Sequence, residues 1–168
     1  IRGKIPFELY RFQDKTLKEL LNHKYNIILK ARQLGISTLT AAYSLWLMTF
    51  RNDKNILVLA TKQDTAKNLV TKIRVMHSNL PSWLKQKCIE DNKLSLRYKN
   101  GSQVKAVSSS EDSGRSEALS LLVLDEAAFI DKIDTIWAAA QQTLSTGGQC
   151  IALSTPNGVG NWFHRTWV

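Results

Sequence analysis

Apolar residues recur along this chain with two periods, and the switching between them predicts the architecture. Short runs dense in Ile, Leu and Val at Asn26 to Lys30 ("NIILK") and Asn55 to Ala60 ("NILVLA") have the length and composition of buried strands. Each is followed by a stretch with helical spacing, and two such units in series predict strand-helix-strand crossovers in a parallel sheet. From Leu94 to Val107 the pattern changes, because "LSLRYKNGSQVKAV" alternates apolar and polar residues on both sides of Asn100-Gly101. That dipeptide tolerates the positive φ angles of a tight hairpin turn, so an antiparallel β-hairpin near 94–107 is predicted as an excursion from the parallel sheet. The runs "LSLLVLDEAAF" and "QCIALSTPNG" read as two more strands, with a helix near Ile133 to Leu144 between them. Pro6, Pro81 and Pro156 fall between the elements. The sum is an α/β fold with a mostly parallel central sheet flanked by helices, whose ligand site is expected at the carboxyl ends of the strands.

Composition narrows this picture. A length of 168 residues suits one well-packed domain, 1–168, and is short for two. With 43% hydrophobic and 22% charged residues spread along the chain, disorder is excluded as a description of the whole. The longest apolar region, Ala41 to Phe50, is interrupted by Tyr43, Ser44 and Thr49 and is too short to span a bilayer. No membrane association is expected. Cys88 and Cys150 lie far apart without pairing or metal-ligand spacing, and read as reduced structural thiols of a cytosolic protein. The formal net charge of +9 predicts a polyanionic partner. Because the chain begins at Ile1 and not at a methionine, a fragment of a longer protein is expected.

Two motifs carry candidate chemistry. In "KARQLGIST", Lys30 to Thr38, a strand runs through a tight turn into an apolar helix, which is the layout of a phosphate-binding loop (P-loop). Such a loop needs small residues that let backbone N–H groups point inward, a helix N-terminus, a hydroxyl for magnesium, and a cation for the phosphates. Gly35 supplies the turn and Ser37 or Thr38 the hydroxyl. The usual lysine position is occupied by Ile36, so the cation must come from elsewhere, with Lys30 and Arg32 as the close candidates. In "LLVLDEAAF", Leu121 to Phe129, an apolar strand ends in Asp125-Glu126. Buried carboxylates are costly without a purpose, and in nucleotide hydrolases an aspartate holds the magnesium complex while the adjacent glutamate polarises the attacking water. The alternative is that these acids cap the following helix.

In order, "FQDKTL", "KARQLGIST", "LLVLDEAAF" and "ALSTPNG" resemble the ATPase domain of the large terminase subunit, the motor that packages DNA into the heads of tailed bacteriophages. The resemblance covers nearly the whole chain and implies a P-loop NTPase of the additional-strand (ASCE) type. In that family the loop often reads Arg-Gln-x-Gly followed by Lys and a hydroxyl residue, matched here by Arg32, Gln33, Gly35 and Ser37. Ile36 departs from it. Some members carry the lysine at the start of the loop, a position matched by Lys30. The resemblance further implies that Gln13 reads adenine, that Ser154 and Thr155 form the coupling motif that senses the γ-phosphate, and that Arg115 in "SSSEDSGRSEALS" is a finger reaching a neighbouring subunit's ATP.

ATP and Mg2+ are the implied substrate and cofactor, with Ser37 and Asp125 as metal ligands, Glu126 and Arg115 as catalytic groups, and Gln13, Lys30, Arg32, Gln33, Gly35, Ile36, Ser37 and Thr38 around the nucleotide. The implied partners are double-stranded DNA, the portal protein and the small terminase subunit. A homo-oligomeric ring is expected on assembly and a monomer for the isolated domain, in the cytoplasm of the infected bacterial host. No second acidic cluster follows "STPNG", so the nuclease of terminases is expected outside this chain.

Read without the family, Gln13 is a solvent-facing helix residue and Arg115 a solvated or DNA-contacting loop residue. Trp46 and Trp137 fit helical apolar patterns and are expected in the core, whereas Trp83 follows a proline in a loop. The lysines of "TKQDTAKNLVTKIR" read as the wet face of a helix. His23, His77 and His164 are scattered and read as surface or packing residues. Competing functional readings are a helicase-like, nucleic-acid-stimulated ATPase and a DNA-binding module whose loop no longer supports hydrolysis.

Overall fold

A computed structural model of the chain describes residues 6–109 and 118–168. In chain order the elements are α1 (Arg11–Asn22), β1 (Tyr25–Leu29), α2 (Ile36–Phe50), β2 (Asn55–Ala60), α3 (Gln63–Ser78), β3 (Cys88–Asp91), β4 (Ser95–Tyr98), β5 (Gln103–Ser108), β6 (Leu121–Asp125), α4 (Ile133–Leu144), β7 (Gln149–Ser154) and α5 (Trp162–Trp167). The strands form one seven-stranded sheet in the order β1-β7-β6-β2-β5-β4-β3. From β1 to β5 the neighbours are parallel, and β4 and β3 are added antiparallel.

The apolar runs become strands because both faces of the parallel region are covered. All of β6, Leu121 to Asp125, is buried, as expected of a central strand with helices on either side. Alternate residues serve different cores. Ile56, Val58, Val104, Val123 and Leu153 pack with α2 and α3 on one face, while Leu57, Leu59, Leu122 and Leu124 pack with α4 and the Trp162-Phe163 start of α5 on the other. Each such fully buried side chain is worth about 1.5–3 kcal/mol of transfer free energy. α3 presents a buried stripe of Ala66, Leu69, Val70, Ile73 and His77, the helical period that the sequence carries.

The hairpin forms between β4 and β5 around the positive-φ residue Gly101. It is integral to the sheet, since β5 also pairs in parallel with β2 from Asn55↔Gln103 to Ala60↔Ser108. The edge strand β3 is an addition to what the sequence predicts. Its sequence, Cys-Ile-Glu-Asp, is largely exposed, and pairing with β4, not apolar patterning, defines it.

Trp46 departs from expectation. It is 37% exposed and stacks on Tyr43 with ring centroids 5.8 Å apart, with Phe50 tilted against it at 6.4 Å. α2 is apolar on nearly every side, so periodicity alone could not separate its core face from its outer one. Trp137 is half-buried between Tyr25 and Trp162, and Trp83 is exposed. His77 packs on Tyr98 at 4.8 Å with its Nε2 3.0 Å from the Gln86 carbonyl. No group of metal-ligating side chains occurs among the described residues that could hold a metal by His, Cys, Asp and Glu alone. No described helix is long and apolar enough to cross a membrane.

Candidate functional site

The parallel strands β1, β7 and β6 end side by side, in register Leu29↔Ser154 and Asp125↔Leu153. β7 therefore lies between the strand that feeds the loop and the strand that carries the carboxylates, the arrangement for which the additional-strand class is named. The Lys30 N–H donates to the Ser154 carbonyl at 2.9 Å, extending the ladder one residue into the loop.

Two residues give the loop its turn. Gln33 and Gly35 both have positive φ, 62° and 71°, a region glycine enters freely and glutamine only at a cost. A Cβ on Gly35 would also lie 2.7 Å from Gln13 Nε2, so a side chain at position 35 would both take up a left-handed φ and displace the Gln13 amide. Gln13 is 2% exposed, in place of the solvent-facing position its helix suggests. Its Nε2 donates to the Leu34 carbonyl at 2.9 Å and its Oε1 accepts from the Tyr10 N–H at 3.0 Å. The amide thus ties α1 to the loop, leaving one N–H and one lone pair for a ligand.

Two cavities meet at the loop. One of about 350 Å³ is lined by Lys30, Gly35, Ser37, Thr38 and Lys72, among others. The other, about 780 Å³, is bordered by Tyr10, Gln13, Val75, Met76 and Asn79. Gln33, Leu34, Gly35 and Thr38 border both. The smaller is basic and hydroxyl-lined at a helix start, which suits phosphate. The larger has the volume and mixed lining that suit a heterocyclic base.

The structure distinguishes the cation candidates. Lys30 lines the smaller cavity, whereas Arg32 is exposed and does not border either one. Ile36 is 4% exposed and packs in the core with α3, so only its backbone faces the loop. Lys72, read from sequence as the wet face of a helix, donates from Nζ to Thr38 Oγ1 at 3.3 Å. Its only sequence signal is its position beside the buried stripe of α3, which packs on α2.

The carboxylates face the same point. Lys30 Nζ lies 3.3 Å from Glu126 Oε1, with the lysine side chain only 10% exposed, and Thr155 Oγ1 donates to Glu126 Oε2 at 3.3 Å. Glu126 has a left-handed φ of 55°, which turns it off the strand toward the loop. Burial raises the Asp125 carboxyl above its ordinary range, and the neighbouring Glu126 charge adds to this. The Lys30 ammonium, the Glu126 N–H and the Ser37 hydroxyl oppose it. Ser37 and Asp125 thus bring two hard oxygen donors into contact beside the phosphate-type cavity. That donor set fits Mg2+, which takes one or two protein oxygens and completes its shell with phosphate and water.

Ser154 is fully buried, and its Oγ accepts from the Ala128 N–H at 3.1 Å. It braces the turn after β6, while Thr155 is the member of the pair that touches Glu126. Arg115 lies outside the described residues.

The family model for the terminase large subunit, T4likevirus-type, N-terminal, matches residues 27–168. Among solved structures, the large terminase ATPase domain of Thermus phage P74-26 is similar with a TM-score of 0.72 at 22% identity, over 95% of this chain and 69% of that one. The large terminase of bacteriophage HK97 matches at 0.70 and 20% identity, over 89% of this chain and 33% of that one. The ADP complex of a large terminase from a thermophilic bacteriophage matches at 0.70 and 16% identity, over 92% and 40%.

Proposed function

We propose that this chain, which belongs to the terminase large subunit family of the T4likevirus type and matches its N-terminal part, hydrolyses ATP to drive double-stranded viral DNA into a procapsid. One convergence carries this reading. Lys30 and Ser37 of the loop line a cavity, and Asp125 and Glu126 at the end of β6 are brought against those two residues, with Thr155 after β7 against Glu126, at the ends of three adjacent parallel strands. The nucleotide complexes of the thermophilic phage terminase, with ADP and with ATP-gamma-S, support a nucleotide as the ligand.

In this reading the base enters the larger cavity beside Gln13, and the phosphates lie along Gly35 to Thr38 at the start of α2. Ser37 and Asp125 would hold Mg2+, which would supply positive charge to offset that of the phosphates. Asp125 would serve there as a carboxylate, and a divalent cation beside it would oppose the effect of burial. Glu126 is engaged on both oxygens, by Lys30 and Thr155. Phosphate draws the Lys30 ammonium away, and the released carboxylate takes a proton from the attacking water. Loss of the γ-phosphate returns Lys30 and Thr155 to Glu126, so that hydrolysis is felt at the end of β7.

Arg115 is proposed to serve a neighbouring subunit in a ring, which makes the isolated chain monomeric and slow. The portal protein and small terminase subunit are the proposed partners in the infected host's cytoplasm, with the nuclease on a segment outside this chain.

The test is magnesium-dependent ATP turnover in the presence of DNA, packaging partners and an assembling full-length subunit. Glu126→Gln is expected to lower kcat by at least about 100-fold while ATP still binds, the range for loss of a general base. Lys30→Ala is expected to weaken binding and turnover together, and Arg32→Ala to affect binding less. If the wild type binds ATP but never turns it over in any assembly, the non-hydrolysing DNA-binding module replaces the motor.

A further inference from the structure

The loop has an unfilled requirement. Ile36 is buried in the core and brings no charge to the cavity it borders. Lys30 has a prior obligation, since its ammonium, 3.3 Å from Glu126 Oε1, also offsets the charge of buried Asp125. Of the loop's own cationic side chains only Lys30 lines the smaller cavity, and it is held at the carboxylates, at the far side of the loop from the larger cavity.

We propose that Lys72 on α3 is a phosphate-binding residue of this site, acting at the phosphate next to the ribose. Its Nζ is 3.3 Å from Thr38 Oγ1, and it lines the smaller cavity together with Gly35, Ser37 and Thr38. Thr38 also borders the larger cavity, so Lys72 stands at the junction between the space for the base and the space for the phosphates. A nucleotide spanning both must place its ribose and first phosphate there. Lys72 makes no ion pair among the described residues, and its present partner is a neutral hydroxyl that an anion would outcompete. An ammonium on a flexible stem from a helix that packs against α2 acts as a mobile point charge, which suits a phosphate oxygen without demanding fixed geometry. Lys30 and Lys72 would then share the work of the missing lysine. Lys30, at the carboxylates, answers to the terminal phosphate, and Lys72 holds the end proximal to the base.

This assignment rests on the nucleotide reading above, and binding measurements separate the two. Calorimetric titration of the chain with ADP and with ATP, with Mg2+ present, is the experiment. Lys72→Ala is expected to weaken ADP and ATP by the same factor, about tenfold, the scale of one charge-assisted contact. Lys72→Arg should recover most of the loss. Lys67→Ala, which removes the same charge from α3 outside both cavities, should leave binding unchanged. Lys72 is exposed, so thermal unfolding of the variant should match the wild type. ADP and ATP binding within twofold of wild type in Lys72→Ala would overturn the proposal while leaving the nucleotide reading intact. An equal loss in Lys67→Ala would reduce the effect to general charge and overturn it too. If the wild type binds neither nucleotide, both readings fall together.

Discussion

The two halves of the sheet are built from similar apolar material and end differently. In the parallel half, β1, β7, β6 and β2 lie between helices and their carboxyl ends open on one edge, where Lys30, Glu126 and Thr155 follow the last ladder residues. On the antiparallel side, where β4 pairs with β5 and with β3, Arg97 and Lys105 are exposed. The two loop cavities are lined from around α1, the loop after β1, α2 and α3, and the parallel strands reach the site through Lys30, Asp125, Glu126 and Thr155 at their ends, whereas β3 and β4 supply no such group. Parallel strands aim all their ends in one direction, so successive turns collect around one point. Antiparallel strands send alternate ends apart and gather nothing.

Substitutions in each half test this contrast. Gly35→Ala should be the most damaging, because the left-handed φ and the close approach to Gln13 Nε2 oppose a side chain together. A loss of about 1–3 kcal/mol in denaturant unfolding is expected, along with loss of nucleotide binding. Wild-type stability in that variant would mean the loop is not held as described.

Asp125→Asn probes the cost of the site itself. Because burial raises the carboxyl in the fold, the native chain holds this proton more tightly than the unfolded chain. Between the unfolded and folded pKa values the native state binds more protons, so this group's contribution falls as pH rises through that window and is least favourable at neutral pH. The asparagine variant should therefore unfold at a higher temperature than wild type at pH 7, by about 2–4 °C per kcal/mol gained. The advantage should shrink toward acidic pH, and ATP turnover should be lost. A variant less stable than wild type at pH 7 would show that the Lys30 and Ser37 contacts outweigh burial.

Tyr98→Phe is the smallest change, in the half without a site. The Tyr98 hydroxyl is buried without a hydrogen-bond partner among the described residues. Its removal should be neutral or stabilising by up to about 1 kcal/mol and leave nucleotide binding untouched. A change in binding would break the separation between the halves.

Much of the fold was legible because its causes are local. Continuous apolar runs made β2 and β6, the Asn100-Gly101 turn made the hairpin, and the helical stripe of α3 is written in its spacing. β3 was not legible, since a short, exposed edge strand takes its identity from its neighbour. Trp46 was misplaced because a helix apolar on most sides does not declare which side faces the core. Of the site, the positions of the loop and the carboxylate pair were legible, as was Lys30 as a cation candidate. The buried setting of Gln13 and the presence of Lys72 were not.

The sequence by itself determined the parallel strands β1, β2, β6 and β7, the hairpin, the glycine turn of the loop, and a pair of acids at a strand end, since each depends on residues a few positions apart. The tertiary structure alone decided what those groups touch. Lys30 meets Glu126 across 96 positions, Thr155 meets Glu126 across 29, Lys72 meets Thr38 across 34 and Gln13 meets Leu34 across 21. Contacts at such separations depend on strand order and helix packing, which bring distant segments together only after the sheet has formed. Periodicity along the chain carries no record of them.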